Sequence, residues 1–273
     1  MFASSDALKR KISPATIILL ILLLIAAGIT VYSGELPPAS VVESDSMEHS
    51  NNWTYGTINV GDTVIVKKLA SPVSEVITYV QGRQINFSTY GDYGNVILYS
   101  DPSGFTVIHR AMFYLSWSHG KPVIPYYSNQ SWMKVTSSYV LIKDVGYSHR
   151  NLVVYISNFK NESGFITMGD HNLATIGQGF YSKALNAYEA ADQNVGIIGH
   201  PVYSSEVLGK AVGQIPWFGL IKLNLMRLEG QWPYYNEVPN HSYEYLAASM
   251  IGILVAIFFP YSIFSGGKGK RKS

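Results

Sequence analysis

Cysteine is absent from this 273-residue chain, and charged residues are few. The absence of cysteine rules out disulfides and thiolate chemistry. The charged fraction of 14% is low against the ~25% of a typical globular domain, and a net charge of +2 gives no indication of a nucleic-acid partner. Internal repeats and low-complexity linkers are also lacking, so the simplest organisation is one domain with apolar anchoring segments.

The N-terminal apolar segment, residues 12–34, carries no charge over its 23 positions. A helix of that length spans about 34 Å at ~1.5 Å per residue, enough to cross a hydrocarbon core of ~30 Å. Ser13 is a suitable N-cap and Pro14 suits the first helical position. The alternative is a cleaved signal peptide, but its apolar region would be shorter, ~7–15 residues, and would end in a small-x-small site. We therefore predict an uncleaved transmembrane helix.

A second apolar segment, residues 245–267, is also free of charge. Aromatic residues flank it, as expected at the headgroup regions of a membrane. Pro260 would kink or end a helix there, and a core helix of a soluble domain is the alternative interpretation. Basic clusters lie just outside both apolar segments, so the positive-inside rule predicts that residues 1–11 and 268–273 are cytoplasmic. Residues 35–244 are then predicted to lie on the outer face of the membrane.

Five glycosylation sequons of the Asn-x-Ser/Thr type support this orientation. They are Asn52-Trp53-Thr54, Asn86-Phe87-Ser88, Asn129-Gln130-Ser131, Asn161-Glu162-Ser163 and Asn240-His241-Ser242. All of them fall between the two apolar segments. Each sequon is weak by itself because some arise by chance, but together they favour an external domain.

The segment between the apolar ends has the composition of short β-strands. Five runs are rich in β-branched and aromatic residues and are separated by turn-forming residues. They are Thr63–Val66, Val96–Tyr99, Phe105–Ile108, Tyr139–Ile142 and Leu152–Ile156. Residues 195–199 and 207–212 are predicted as two more strands, and a helical pattern is found only near Ser182–Ala191. The chain is therefore predicted to be mainly β.

Three short stretches combine the residue types of acyl transfer to serine. They are Ser44-Asp45-Ser46-Met47, His109-Arg110 and Gly169-Asp170-His171-Asn172. In that chemistry an imidazole takes the serine proton and later gives it to the leaving amine, while a carboxylate fixes the tautomer and stabilises the imidazolium. Chain order carries no weight, because the same geometry recurs in several orders. By composition alone the pattern is weak, since the chain has 7 His and 18 acidic residues.

The joint order of several segments resembles type I signal peptidases. Val41–Glu48 resembles the nucleophile segment, in which a Ser-Met pair follows the anchor; Gly94–Pro102, leading to Ile108-His109-Arg110, resembles the segment that carries the base; Ile166–Asn172 resembles the acidic segment; and Val60–Lys68, Gly196–Gly199 and Pro216–Gly219 are similar to further strands of the family. The resemblance covers most of residues 38–222. It implies a membrane-anchored β domain of coiled antiparallel sheets, here flanked by two transmembrane helices.

The resemblance also indicates a subtype. Bacterial members have Lys-Arg where this chain has His109-Arg110 and use a Ser/Lys dyad, whereas archaeal and endoplasmic-reticulum members have His. The second apolar segment and the predicted cytoplasmic C-terminus favour an archaeal plasma-membrane enzyme. Lys67 or Lys68 as a bacterial-type base remains the alternative.

Two departures from the family bear on the acid. The interval between His109 and Asp170 is longer than usual, so residues of about 115–160 are interpreted as an insertion containing an extra hairpin or two. The family often has a second essential aspartate a few residues beyond the Gly-Asp pair, and here that stretch has no acid before Asp192. Asp170 is favoured as the orienting acid, with Asp192 as the alternative.

The resemblance implies a complete set of roles. Ser46 would attack the carbonyl carbon after a small residue of a signal peptide, with His109 as general base. The Ser46 backbone N–H and the Ser44 hydroxyl would hold the oxyanion. The substrate would pair with an exposed strand edge, with Val41 and Val42 as candidate contacts. Neither a cofactor nor a metal is expected.

The expected partners are secretory preproteins and the lipid bilayer, and contact with the translocation machinery is left open. Two other functions compete with a signal peptidase. One is a non-catalytic, membrane-anchored, β-rich surface glycoprotein, which the missing second aspartate favours slightly. The other is a related peptidase dedicated to precursors of surface-layer or pilus proteins.

Overall fold

A computed structural model describes residues 14–258 of the chain. The helices are α1 (Pro14–Ser33), α2 (Pro72–Glu75), α3 (Tyr79–Ile85), α4 (Asp170–Thr175), α5 (Asp192–Val195), α6 (Gly219–Leu228) and α7 (Ser242–Phe258). The strands are β1 (Ala39–Val41), β2 (Thr63–Lys67), β3 (Ser88–Thr89), β4 (Asp92–Tyr93), β5 (Val96–Ser100), β6 (Thr106–Ser118), β7 (Lys121–Val123), β8 (Met133–Val135), β9 (Tyr139–Val145), β10 (Arg150–Tyr155), β11 (Gly164–Met168), β12 (Tyr181–Ser182), β13 (Ala187–Tyr188) and β14 (Val207–Ile215).

The larger sheet has the strand order β1-β2-β14-β5-β6-β11, and β7 pairs with the far end of β6. Its neighbouring strands are antiparallel. Shifts of register interrupt three of the pairings, between Val207 and Gly209, between Ala211 and Gly213, and between Ile166 and Thr167. Irregularities of this kind increase the local twist of a strand. The sheet therefore curves, and residues of its edge strand β1 and of β6 line one cavity.

The second sheet, of order β12-β13-β10-β9-β8, comes largely from the segment interpreted as an insertion. Strands β9 and β10 form an antiparallel hairpin whose turn occupies residues 146–149. The β12–β13 hairpin joins this sheet through one parallel pairing, Leu152 with Tyr188.

The alternation of side chains along β5 shows why this strand lies at the centre. Val96 and Leu98 point into a core cluster with the residues around Met47, while Ile97 and Tyr99 point into another with Ala111 and β11. Successive side chains of a strand face opposite sides, so a strand that is apolar on both faces must be covered on both. A further cluster packs the second sheet against β6 and β11.

Helix α1 is long and apolar enough to cross a membrane. Helix α7 is shorter, with 17 residues from Ser242 to Phe258, and it contacts α1. The predicted cytoplasmic ends 1–11 and 268–273, the N-cap Ser13 and residues 259–267 of the second predicted span lie outside the described residues. The two-span arrangement therefore stays a prediction.

Three sequence expectations differ from the structure. Helices account for 31% of the structure and strands for 29%, so "mainly β" is too strong a description of a chain with several antiparallel sheets. The helix expected near Ser182–Ala191 is the β12–β13 hairpin, because Asn186 takes a left-handed turn conformation with φ of 48°. The strand expected at 195–199 does not form, because α5 ends there on Gly196 with φ of 86°.

Glu48 holds the segment between β1 and β2 in place. Its side chain is only 4% exposed, and its Oε1 accepts a hydrogen bond of 2.8 Å from the backbone N–H of Val60. Burial raises the pKa of the Glu48 carboxyl from its ordinary value of 4.5 to about 8, and the nearby carboxylates Asp45, Asp62 and Glu237 add to the shift. The folded chain therefore holds this proton at neutral pH.

Glu48→Gln should change how stability depends on pH. Between pH 4.5 and about 8 the wild-type carboxyl binds a proton when folded and releases it when unfolded, so its stability falls by up to about 1.4 kcal/mol per pH unit. Glutamine keeps the acceptor for Val60 without a charge. Thermal unfolding in detergent from pH 5 to pH 9 should show that the unfolding temperature of the variant rises relative to that of the wild type as pH increases. Parallel curves, as expected for the exposed control Glu229→Gln, would contradict this assignment.

Candidate active site

The candidate site is a cavity of about 800 Å³ that Ser46 and His109 both line. The other lining residues come from β1 and the segment after it, from the segment that leads into β6 and the start of that strand, from α4, from the segment after α5, and from α6 and the segment that follows it. They include Ser40–Asp45, Gly104–Ile108, Asn172, Ile197, Lys222, Gln231, Pro233, Tyr234 and Glu237. The cavity thus lies where the curved larger sheet meets the C-terminal segment.

Ser46 lies in a turn that the next residue anchors. Met47 is 1% exposed and packs in the cluster formed with β2 and β5. The carbonyl of Ser46 accepts a hydrogen bond of 2.9 Å from the backbone N–H of His171 in α4. Within residues 14–258, neither the hydroxyl nor the backbone N–H of Ser46 has a hydrogen-bond partner, so both are available to a ligand.

The C-terminal segment holds the same turn from the other side. The backbone N–H of Asp45 donates to Glu237 Oε2 at 3.0 Å. The indole N–H of Trp232, which is 2% exposed, donates to the carbonyl of Glu43 at 2.9 Å. Residues far apart in the sequence therefore fix the backbone on both sides of Ser46.

His109 is paired with Asp192. Its Nδ1 lies 2.7 Å from Asp192 Oδ2, and the two residues are 3% and 0% exposed. The hydroxyl of Tyr99 donates to the same oxygen at 2.8 Å. A carboxylate at Nδ1 favours the tautomer with the proton on Nδ1, which leaves Nε2 as a hydrogen-bond acceptor. A general base needs that tautomer.

His109 Nε2 and the Ser46 turn both lie next to Gly169. A β-carbon added at Gly169 would stand 2.9 Å from His109 Nε2 and 2.6 Å from the Ser46 carbonyl oxygen. The imidazole edge and the Ser46 backbone thus border the same glycine. No hydrogen bond joins the Ser46 hydroxyl to His109 in the described part of the chain, and such bonds are often long without substrate and tighten when it binds.

Asp170 has a different partner from the one that the sequence favoured. Its carboxylate forms two hydrogen bonds with the guanidinium of Arg110, at 2.8 and 2.6 Å, and one with His49 Nε2 at 3.0 Å. Burial by itself would raise the pKa of the Asp170 carboxyl, but Arg110 and His49 hold it below its ordinary value. The carboxylate that contacts His109 is Asp192, the alternative acid. The physical reason is that β6 points successive residues to opposite faces, so His109 and Arg110 meet different acids.

His49 and Tyr147, which sequence reasoning missed, lie beside Asp170 and the Ser46 turn. His49 stacks on Tyr147 with ring centroids 4.3 Å apart, and the Tyr147 hydroxyl lies 2.9 Å from His171 Nδ1. Tyr147 comes from the β9–β10 turn, so the second sheet reaches the back of the Ser46 turn. No local sequence signal marks His49 or Tyr147 for this role, although His171 adjoins the Gly-Asp pair.

The remaining predicted site residues divide into two groups. Ser44, Val41 and Val42 line the cavity with Ser46, although the Val42 side chain is 4% exposed and belongs to the core. Lys67 and Lys68 do not line it. Lys67 lies over the ring of Tyr32 at 5.1 Å, and Lys68 pairs with Glu35 at 2.6 Å, so both are beside the end of α1.

Two strand edges border the cavity. Among the strands of residues 14–258, β1 pairs only with β2. The first residues of β6, Thr106 to His109, pair with β5 on one side, while pairing with β11 on the other side begins at Arg110. Each edge therefore offers backbone groups to an extended peptide.

No protein-family model matches the chain, and no curated protein sequence matches it either. Across residues 14–258, no group of three or more His, Asp or Glu side chains is arranged to hold a metal ion.

Asp170→Asn should lower the temperature at which the chain unfolds. The substitution leaves the fully buried Arg110 guanidinium without its charge partner, and breaking a buried pair in this way costs about 3–5 kcal/mol. The matched control is Asp144→Asn, because the Asp144 side chain is 61% exposed and pairs with Arg83 and His149 at the surface. Thermal unfolding in detergent measures both. Equal effects of the two substitutions would contradict a structural role for the Arg110–Asp170 pair.

Proposed function

We propose that this chain is a membrane-anchored serine endopeptidase of the signal peptidase I type, which removes N-terminal signal peptides from secretory preproteins after small residues. The observation that carries the proposal is the position of His109. Its Nδ1 contacts the buried Asp192 at 2.7 Å, and its Nε2 faces the Ser46 turn across Gly169. A serine and an imidazole on one cavity, with a buried carboxylate on the far nitrogen of the imidazole, are the parts of a serine hydrolase.

In this proposal Asp192, rather than Asp170, orients the base. Asp192 fixes the His109 tautomer, and His109 takes the proton of the Ser46 hydroxyl. The Ser46 oxygen forms an ester with the substrate carbonyl carbon, and the proton passes to the leaving amine. Water then enters with His109 again as base, the ester is hydrolysed and the serine is regenerated.

The oxyanion would be held by the backbone N–H of Ser46 and the hydroxyl of Ser44. Both groups are without a partner in the described part of the chain, and both residues line the cavity. Donors of this kind act on charge that develops in the transition state, and removing one typically costs ~10²–10³ in kcat.

The substrate is proposed to be an extended peptide held between the two strand edges. β1 and the start of β6 both border the cavity, so a strand lying there can form backbone hydrogen bonds on both sides. This mode suits substrates with little sequence in common, because backbone groups provide the affinity. Small side chains at the cleavage site would fit between Val41, Ile108 and the Ser46 turn.

The membrane arrangement is part of the proposal. Helix α1 ends at Ser33, shortly before β1 and the Ser46 turn, so an anchor there keeps the cavity near the bilayer. The basic clusters at both chain ends favour two spans, cytoplasmic termini and a catalytic domain on the outer face of the plasma membrane, as in the archaeal subtype.

Ser46→Ala and Asp192→Asn test the triad. Ser46→Ala removes the nucleophile, and Asp192→Asn favours the wrong His109 tautomer, so each should lower preprotein cleavage in detergent by about 10⁴-fold. The matched controls Ser74→Ala and Asp144→Asn change exposed residues and should retain activity.

The outcomes separate the competing functions. Cleavage that survives Ser46→Ala would refute the serine mechanism. A wild-type chain that cleaves no preprotein would favour a non-catalytic surface glycoprotein. Cleavage restricted to surface-layer or pilus precursors, within a panel that includes ordinary secretory preproteins, would favour a dedicated peptidase.

Gly169→Ala should impair catalysis specifically. The new methyl group would lie 2.6 Å from the Ser46 carbonyl oxygen and 2.9 Å from His109 Nε2, so the nucleophile and base must move apart. A displacement of about 1 Å can cost ~10²-fold in rate, and kcat should fall by about that factor. Gly177→Ala is the control, because no atom of the described part of the chain, apart from its immediate neighbours, lies within 4 Å of its added β-carbon. Equal kcat values for the two variants would contradict the proposed contact between base and nucleophile.

A further inference from the structure

The proposed peptidase makes no use of the five glycosylation sequons, and the structure divides them into two groups. We propose that Asn86, Asn129 and Asn161 carry N-linked glycans and that Asn52 and Asn240 do not. The inference rests on the outer-face orientation given under the proposed function. The observations that separate the groups are independent of the catalytic residues.

The first group lies at exposed positions outside the strands. Asn86, Asn129 and Asn161 are all exposed and have left-handed backbone conformations, with φ of 56°, 56° and 70°. Asn86 is the C-cap of α3, and the other two lie in connections between strands. Within residues 14–258 none of their side-chain amides has a hydrogen-bond partner. Each amide nitrogen is therefore free to react and points to solvent, where a bulky glycan fits.

The hydroxyl residues of these three sequons are equally accessible. Ser88, Ser131 and Ser163 are exposed, and their hydroxyls have no hydrogen-bond partner in the described part of the chain. The transferase recognises the Asn and the hydroxyl residue two positions later as one unit. In these sequons both parts are available together.

The second group is occupied by internal contacts. The side-chain amide of Asn240 donates to Asn52 Oδ1 at 3.1 Å, and the two residues also form an isolated bridge between their backbones. Ser242, the hydroxyl residue of the Asn240 sequon, is 0% exposed at the start of α7. The Thr54 hydroxyl donates to the carbonyl of Asn52 at 3.0 Å. Asn52, Thr54 and Asn240 are exposed like the residues of the first group, so the two groups differ in these contacts and in the buried Ser242 hydroxyl.

The position of Asn240 gives a second reason. Asn240 lines a cavity of about 340 Å³ together with Asp45, Glu48 and Glu237, directly beside the Ser46 turn. A glycan on Asn240 would therefore stand at the border of this cavity. The sequon residues of the first group line neither this cavity nor the larger one, so glycans on them leave the proposed substrate groove open.

The reaction requires a lipid-phosphate-linked oligosaccharide as the donor. The Asn side-chain nitrogen forms a bond with the anomeric carbon of the sugar and loses one proton. The bond between that carbon and the lipid phosphate oxygen breaks, and the lipid phosphate leaves with its electron pair. No oxidant or reductant takes part.

The test is to express the full chain in a cell that glycosylates secreted proteins, together with a secreted acceptor protein that has one sequon. Mass spectrometry of peptides from the purified chain then reports each of the five sites. We expect glycopeptides for Asn86, Asn129 and Asn161 and bare peptides for Asn52 and Asn240. Asn86→Gln, Asn129→Gln and Asn161→Gln should each remove the mass of one glycan from the intact chain, whereas Asn52→Gln and Asn240→Gln should not.

Modification of Asn52 or Asn240, or a bare site among the other three while the acceptor protein is modified, would overturn the inference. Preprotein cleavage by the same preparation separates this result from the proposed function. An active but unmodified chain refutes the glycan assignment alone. A chain with the expected glycans but without cleavage refutes the peptidase assignment alone.

Discussion

The rest of the site depends on the buried ion pair between Arg110 and Asp170. Arg110 is 0% exposed, binds the Asp170 carboxylate with two hydrogen bonds, and donates to the backbone carbonyls of residues 89–90 and 92–94. A buried cation must be paired and fully hydrogen-bonded. Meeting that requirement draws the β3–β4 turn and the start of α4 onto β6, next to His109.

Contacts from distant parts of the chain hold the Ser46 turn in place. The start of α4 donates to the Ser46 carbonyl, the C-terminal segment holds Asp45 and Glu43, and Tyr147 of the second sheet contacts His171 and His49. Three distant parts of the chain thus converge on one turn. The second sheet therefore contributes to the site as well as to the core, since its β9–β10 turn closes the back of this cluster.

Much of the fold was predictable because its signals are local. The β-branched runs at 63–66, 96–99 and 139–142 lie in strands, as do residues 152–155 of the run 152–156, and residues 12–34 contain α1. The errors at 182–191 and 195–199 came from single turn residues, Asn186 and Gly196, whose left-handed conformations end a pattern abruptly. The choice of acid was a different kind of problem. Asp170 and Asp192 each begin a short helix, and nothing in the residues around them shows which one meets His109.

The sequence by itself determined the apolar N-terminal helix, most of the strands, and the presence of the serine, histidine and aspartate residues of the candidate site. Periodicity, hydrophobicity and turn chemistry act over a few residues, so they can be recognised in the sequence. Only the tertiary structure decided that Asp192 contacts His109, that Asp170 neutralises Arg110, and that the Asn52 and Asn240 side chains contact each other. The first two outcomes depend on which side chains share a buried space, and burial is a property of the assembled sheets.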